Sequence, residues 1–187
     1  MKGEYVLCVP AELSPLTGES WDDFAKRRGT YLARDMAEGN EAWRQLIPYM
    51  VFADWKNRKV LAYKRPGKQT ESRLANMWTV GVGGHLNDSD TSVRYGMRRE
   101  ALEELIVVPT KTFDLGEIRL SDMPVDRVHL GILTLVTSWE GTIQPTPEIP
   151  EFKWLSLEEA FKMPMETWAL YALHKIRQSG LLESRAG

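Results

Sequence analysis

This sequence of 187 residues is poor in several features that usually narrow a function. It has one cysteine, Cys8. A lone cysteine forms no internal disulfide, so a reducing compartment, the cytoplasm, is expected. Its position in "YVLCV" predicts a small hydrophobe in a buried strand. Net charge is nearly absent, at -2. That argues against a nucleic-acid polymer or an acidic membrane surface as partner. No apolar run reaches the ~18 residues of a membrane span. The start, "MKGEYVLCVPAEL", has an apolar core too short for a secretory signal and soon turns acidic. Internal repeats and low-complexity tracts are also missing. The length favours one domain with a core large enough to need no staples.

Short strands mixed with helices predict an α/β or α+β fold. "YVLCV" reads as a strand closed by Pro10. Residues 21–36 read as a helix with Ser20 as N-cap and acids in its first turn. "LIPYMVFAD" (46–54) and "KVLAYKRP" (59–66) read as strands around the turn "WKNR". Residues 67–73 read as a polar loop. "MWTVGVGG" (77–84) reads as a strand entering a tight glycine loop, and a helix follows over about 92–105. "TFDLGEIRL", "VHLGILTLVT" and "EFKWLSL" read as strands, and "GTIQPTPEIP" as a proline-rich loop. "SLEEAFKM" opens with Ser156 and Glu159 at capping-box spacing. "ETWALYALHKIRQSG" ends the series as a helix stopped by Gly180.

The chemistry is concentrated in "GGHLNDSDTSVRYGMRREALEEL" (83–105). Its helix carries Glu100, Glu103 and Glu104, and like charges at such spacing repel. At about 100° per residue the three share an arc of roughly 100° that overlaps the apolar stripe of Val93, Met97, Ala101 and Leu105. Glu104 falls inside that stripe, where an unpaired carboxylate is costly. Gly96 lies in the same arc, leaving bare backbone one turn before Glu100. A solvated acidic face would explain three glutamates alone. It does not explain an acid on the apolar side with a glycine beside it. A divalent cation with hard oxygen ligands, Mg²⁺ or Mn²⁺, explains both. The three glycines of "VGVGGH" permit close backbone approach to a ligand.

These residues resemble the Nudix box, G-x5-E-x7-R-E-U-x-E-E-x-G-U with U apolar. Arg99, Glu100, Ala101, Glu103, Glu104 and Val107 match its second half, and Gly84 stands for its leading glycine. Asp90 stands where the family has glutamate, eight residues rather than seven separate it from Arg99, and Ile106 replaces the late glycine. "LAYKRP" resembles the strand before a Nudix box, and "EFKWLSLEEAF" the family's closing strand and helix. "IPYMVF", "TESRL", "VHLG" and "METW" resemble a bacterial subgroup with an N-terminal extension. The likeness covers about residues 45–177.

The resemblance implies one Nudix domain over 1–187, with a mixed β-sheet in an α/β/α sandwich. Residues 1–44 would be an extension and 45–180 the core. It implies hydrolysis of a diphosphate linked to another moiety, with Mg²⁺ or Mn²⁺ on Glu100, Glu103, Glu104 and the Gly83 carbonyl. Arg99 would orient the cluster. The general base would be Glu103 itself, or Glu148 or Glu151 of the proline-rich loop. Arg65, Arg73, Lys64, Gly84 and His129 are candidates to meet substrate, although surface charge and structural hydrogen bonding are the ordinary fates of such residues. Trp78 would pack in the core or stack on a base. The partner implied is a small, nucleotide-derived diphosphate, and the extension could build a homodimer. Two rivals remain open at this stage. One is a Nudix-fold binding module or regulator without turnover, which would not need to keep all three glutamates. The other is a Nudix-fold isomerase, which would need a reactive cysteine at the site.

Overall fold

The computed structural model describes residues 4–64 and 77–182. In chain order the elements are β1 (Tyr5–Pro10), α1 (Trp21–Arg28), β2 (Thr30–Ala33), α2 (Arg34–Glu38), β3 (Trp43–Asp54), β4 (Lys59–Lys64), β5 (Trp78–Thr79) and β6 (Gly81–Val82). The box helix α3 (Val93–Leu105), β7 (Val108–Ile118), α4 (Pro124–Arg127), β8 (His129–Glu140), β9 (Phe152–Leu155), α5 (Leu157–Phe161) and α6 (Thr167–Ser179) follow.

Strand β3 is the spine of a mixed sheet. One edge pairs antiparallel with β1, β6 and β4 in turn, and the other runs parallel to β8 from Gln45↔His129 to Phe52↔Val136. Its side chains alternate between two cores, as strand periodicity demands. Tyr49, Val51 and Ala53 pack with Leu133, Leu135 and the inner side of α6. Met50 and Phe52 pack with Ala101, Leu105 and Val136 under α3. A third cluster joins Leu7 and Phe24 to Leu86 and Val93. The result is the expected three-layer α/β/α sandwich, with α6 on one face and α1 and α3 on the other.

The helix expected over 21–36 is a correction. It stops at Arg28, and Thr30–Ala33 forms a strand beside β1. A side chain at Gly29 would lie 2.4 Å from the Ala25 carbonyl and 2.9 Å from Leu7. The chain therefore turns where only glycine fits, and strand pairing wins over helical propensity. Helix α4 was also hidden, because four residues give no periodicity to read. Helix α3 ends at Ile106, which takes the left-handed conformation (φ 59°) that the family pattern gives to glycine. The capping box of Ser156 and Glu159 and the Gly180 stop are present. Arg65, Arg73 and the 67–73 loop lie outside the described residues.

The N-terminal segment is part of the sheet. Leu7 N–H donates to the Leu86 carbonyl (2.8 Å), and Val6 bridges Asn87. Asp22 of α1 accepts the Val93 N–H at 2.6 Å, capping α3 from 71 residues away.

Candidate active site

The loop from β6 to α3 is held against the sheet by Gly83. Its φ of 149° and its approach to the Pro48 carbonyl, where a Cβ would sit 1.9 Å from oxygen, admit no other residue. Gly84 follows, and its missing side chain is filled by Glu100: a Cβ there would lie 2.8 and 2.9 Å from the two carboxylate oxygens. Glycine at both positions lets the loop lie directly on a carboxylate.

Arg99 organises that carboxylate and its neighbours. Its Nε and Nη2 donate to the two oxygens of Asp90, each at 2.9 Å. Its Nη1 donates to Glu100 at 2.7 Å and to Glu103 at 3.2 Å. Nη2 also reaches the His85 carbonyl at 2.9 Å. The guanidinium thus ties the loop to two of the three box glutamates. The side chains of Asp90 and Arg99 are 2% and 20% exposed, so this is no surface ion pair. Hydrogen bonds to Asp90 hold the Arg99 pKa above its ordinary value.

The helical wheel is corrected in one respect. Glu100, not Glu104, is the buried carboxylate, at 8% exposure; Glu104 is half-buried and Glu103 exposed. Burial raises the Glu100 pKa against the opposing pull of Arg99. Gly96 explains the packing beneath. A Cβ there would lie 2.2 Å from Leu86 and 3.1 Å from an Asp90 oxygen. Its gap holds the loop rather than a ligand.

The other expected residues divide. Glu148 and Glu151 are exposed on their loop, and Thr146 pins that loop to α3 by donating to the Glu104 carbonyl at 2.8 Å. His129 is occupied at both ring nitrogens: Nδ1 lies 2.7 Å from the Val125 carbonyl and Nε2 3.2 Å from His85 Nε2. Donation from Nδ1 leaves Nε2 to accept from His85. Burial lowers both histidine pKa values, His85 to about 4. Trp78 is a core residue, with Lys64 and Lys153 over its ring. Cys8 sits in an apolar cluster with Val6 and Ala37, and burial pushes its thiol up to about 12. Such a thiol supplies no thiolate at neutral pH, which removes the support for an isomerase.

Asp22 and Thr146 were missed by sequence reasoning. Both act through backbone groups of distant elements, and no local spacing signals that. Among the described residues, no three His, Cys, Asp or Glu side chains already converge as a metal cage.

The arrangement is a buried, arginine-tied carboxylate network at the mouth of a glycine loop, on a mixed sheet between helices. A family model described as the NUDIX domain matches residues 47–175, more than half of the chain. The chain belongs to the Nudix family, and it is a hydrolase of phosphoanhydride bonds. It is 27% identical over 157 residues to Protein YmaB of Bacillus subtilis (strain 168), covering 76% of this chain and 75% of that protein. The crystal structure of Tm1382, provisionally named a Nudix hydrolase, is similar at 28% identity and a TM-score of 0.75. The match covers 94% of this chain and all of Tm1382. The NUDIX domain of Shewanella oneidensis NrtR, solved with ADP ribose, shares the fold at 18% identity and a TM-score of 0.60, covering 73% and 88% of the two chains.

Proposed function

We propose that this protein is a Mg²⁺- or Mn²⁺-dependent pyrophosphohydrolase that cleaves a nucleoside diphosphate linked to another moiety. The observation that carries the reading is Glu100, buried against Gly84 and, among the described residues, paired with an arginine that it shares with Asp90 and Glu103. A buried carboxylate with a raised pKa is costly unless a cation completes it. The donors fit such a cation: Glu100, Glu103, Glu104 and the Gly83 carbonyl are all hard oxygens. Such a donor set suits Mg²⁺, which retains waters and takes substrate phosphate oxygens. When bound, the ion would neutralise the diphosphate and lower the pKa of a water.

The chain's own residues have separable tasks. Arg99 fixes the rotamers of Glu100 and Glu103 while its other edge is locked on Asp90. Gly83 and Gly84 let the loop lie against the Pro48 carbonyl and the Glu100 carboxylate, which holds the Gly83 carbonyl beside the acids. Glu103, the exposed acid of the network, would take a proton from the attacking water, with Glu148 or Glu151 as the alternative base. Arg65 and Arg73 remain proposed phosphate contacts. A buried, unreactive Cys8 suits the reducing cytoplasm.

The test is Glu103→Gln, assayed with Mg²⁺ and Mn²⁺ against nucleoside diphosphate derivatives, dinucleoside polyphosphates and sugar nucleotides. Wild type should turn over at least one of these classes, and the variant should lose at least ~100-fold in kcat with an unchanged melting temperature. Undiminished turnover by the variant sinks the assignment.

A further inference from the structure

A second site lies on the opposite face of the sheet from the box glutamates. The turn between β3 and β4, the middle of β7 and the end of α6 enclose a cavity of about 700 Å³. That volume is within the ~300–1,000 Å³ range of small-molecule sites. Trp55, Lys56, Arg58, Lys111 and Phe113 line it, with Leu181 at its edge. Phe113 packs on the α6 side of the sheet, whereas α3 packs on the other. The backbone of the sheet therefore separates this cavity from Glu100.

Its chemistry is one-sided. Among the described residues every charged side chain lining it is a cation, in a chain of net charge -2. The nearby Asp54 spends its two oxygens on Asn57, accepting from its N–H (3.0 Å) and Nδ2 (2.7 Å), and meets the Lys56 charge only through space. Among the described residues neither Lys56 nor Lys111 forms an ion pair with a carboxylate; Lys111 instead lies over the Phe113 ring, 5.6 Å from its centroid. Trp55 and Phe113 are nearly parallel, 14° apart with centroids at 6.0 Å. Phe113 backs the indole, yet Trp55 stays 46% exposed. A large exposed aromatic held rigid by a second ring and surrounded by cations is a platform for a planar anion. Aromatic faces accept any base, and ammonium groups take phosphate as point charges.

We propose that this cavity binds a nucleoside phosphate, with its base on Trp55 and its phosphate between Lys56 and Lys111. The site is separate from hydrolysis and needs no metal. Inorganic phosphate alone would forfeit the stacking, and a nucleoside alone would forfeit the charge pairing.

The experiment is calorimetric titration of the full chain in EDTA with AMP, GMP, CMP and UMP separately, then with adenosine and inorganic phosphate. Metal-free conditions stop turnover and leave the box glutamates repelling phosphate. At least one nucleotide should bind, with adenosine and phosphate each at least tenfold weaker. Trp55→Ala and Lys111→Ala should each weaken that nucleotide at least tenfold, and Glu103→Gln should leave it unchanged. If Trp55→Ala fails to fold, Lys56→Glu at its exposed position decides in its place, with the same expected loss. Absence of binding by all four nucleotides, equal affinity for phosphate alone, full affinity in Trp55→Ala, or loss of binding in Glu103→Gln would each overturn the proposal.

Discussion

Arg99 and Asp90 meet edge to edge, two nitrogens on two oxygens at 2.9 Å each. Asp90 stands where the family pattern has glutamate, in a loop one residue longer. In this chain the longer loop delivers the shorter acid to the Arg99 guanidinium. The Asn87 N–H also donates to Asp90 at 2.9 Å, so the loop is built around this carboxylate. Removing one partner of such a pair leaves the other charge buried and unpaired. Asp90→Ala should therefore destabilise the fold by about 3 kcal/mol, read by urea denaturation. Asp90→Glu should also destabilise it, because its extra methylene carries the carboxylate off the position that Arg99 and the Asn87 N–H fix.

Gly96→Ala offers a sharper test of packing. On helix propensity alone it should stabilise by about 1 kcal/mol. The new methyl would lie 2.2 Å from Leu86, which is 1% exposed and packed among Leu7, Phe24 and Val93. Overpacking of this kind costs about 1–3 kcal/mol. The variant should melt below wild type, and a higher melting temperature would show that the loop yields.

Burial raises the Glu100 pKa above its ordinary value, and this has a defined sign. A carboxyl easier to protonate folded than unfolded favours folding below its unfolded pKa, and that contribution fades as pH rises through the folded value. At neutral pH the ionised Glu100 therefore costs the metal-free protein stability. Glu100→Gln keeps an acceptor for Arg99 and removes the charge. It should melt higher than wild type at pH 7 without metal, with the gap closing as pH falls toward 4, while turnover is lost. A variant less stable at pH 7 would contradict the burial cost.

Asp22 joins the N-terminal segment to the box helix by a single 2.6 Å hydrogen bond to Val93. Asp22→Ala should cost about 1 kcal/mol, as lost N-caps do. It should also speed hydrogen exchange at the first turn of α3, whereas Asp22→Asn, which keeps an acceptor, should restore most of the protection. Unchanged exchange in Asp22→Ala would show that Ser92, which also caps this helix, suffices.

The sequence by itself determined the strands other than β2, the box helix over about 92–105, the caps at Ser156 and Gly180, and the family. These are local or periodic signals, and local chemistry writes them. Tertiary structure decided what no spacing encodes. It buried Glu100 rather than Glu104, because neighbouring elements and not the helix alone define the inward face. It also made Gly96 a socket for Leu86, occupied both nitrogens of His129, and turned residues 30–33 from helix to strand because β1 offered an open edge. In each case the deciding partner lay far along the chain, and only the folded contact carries the energy that selects it.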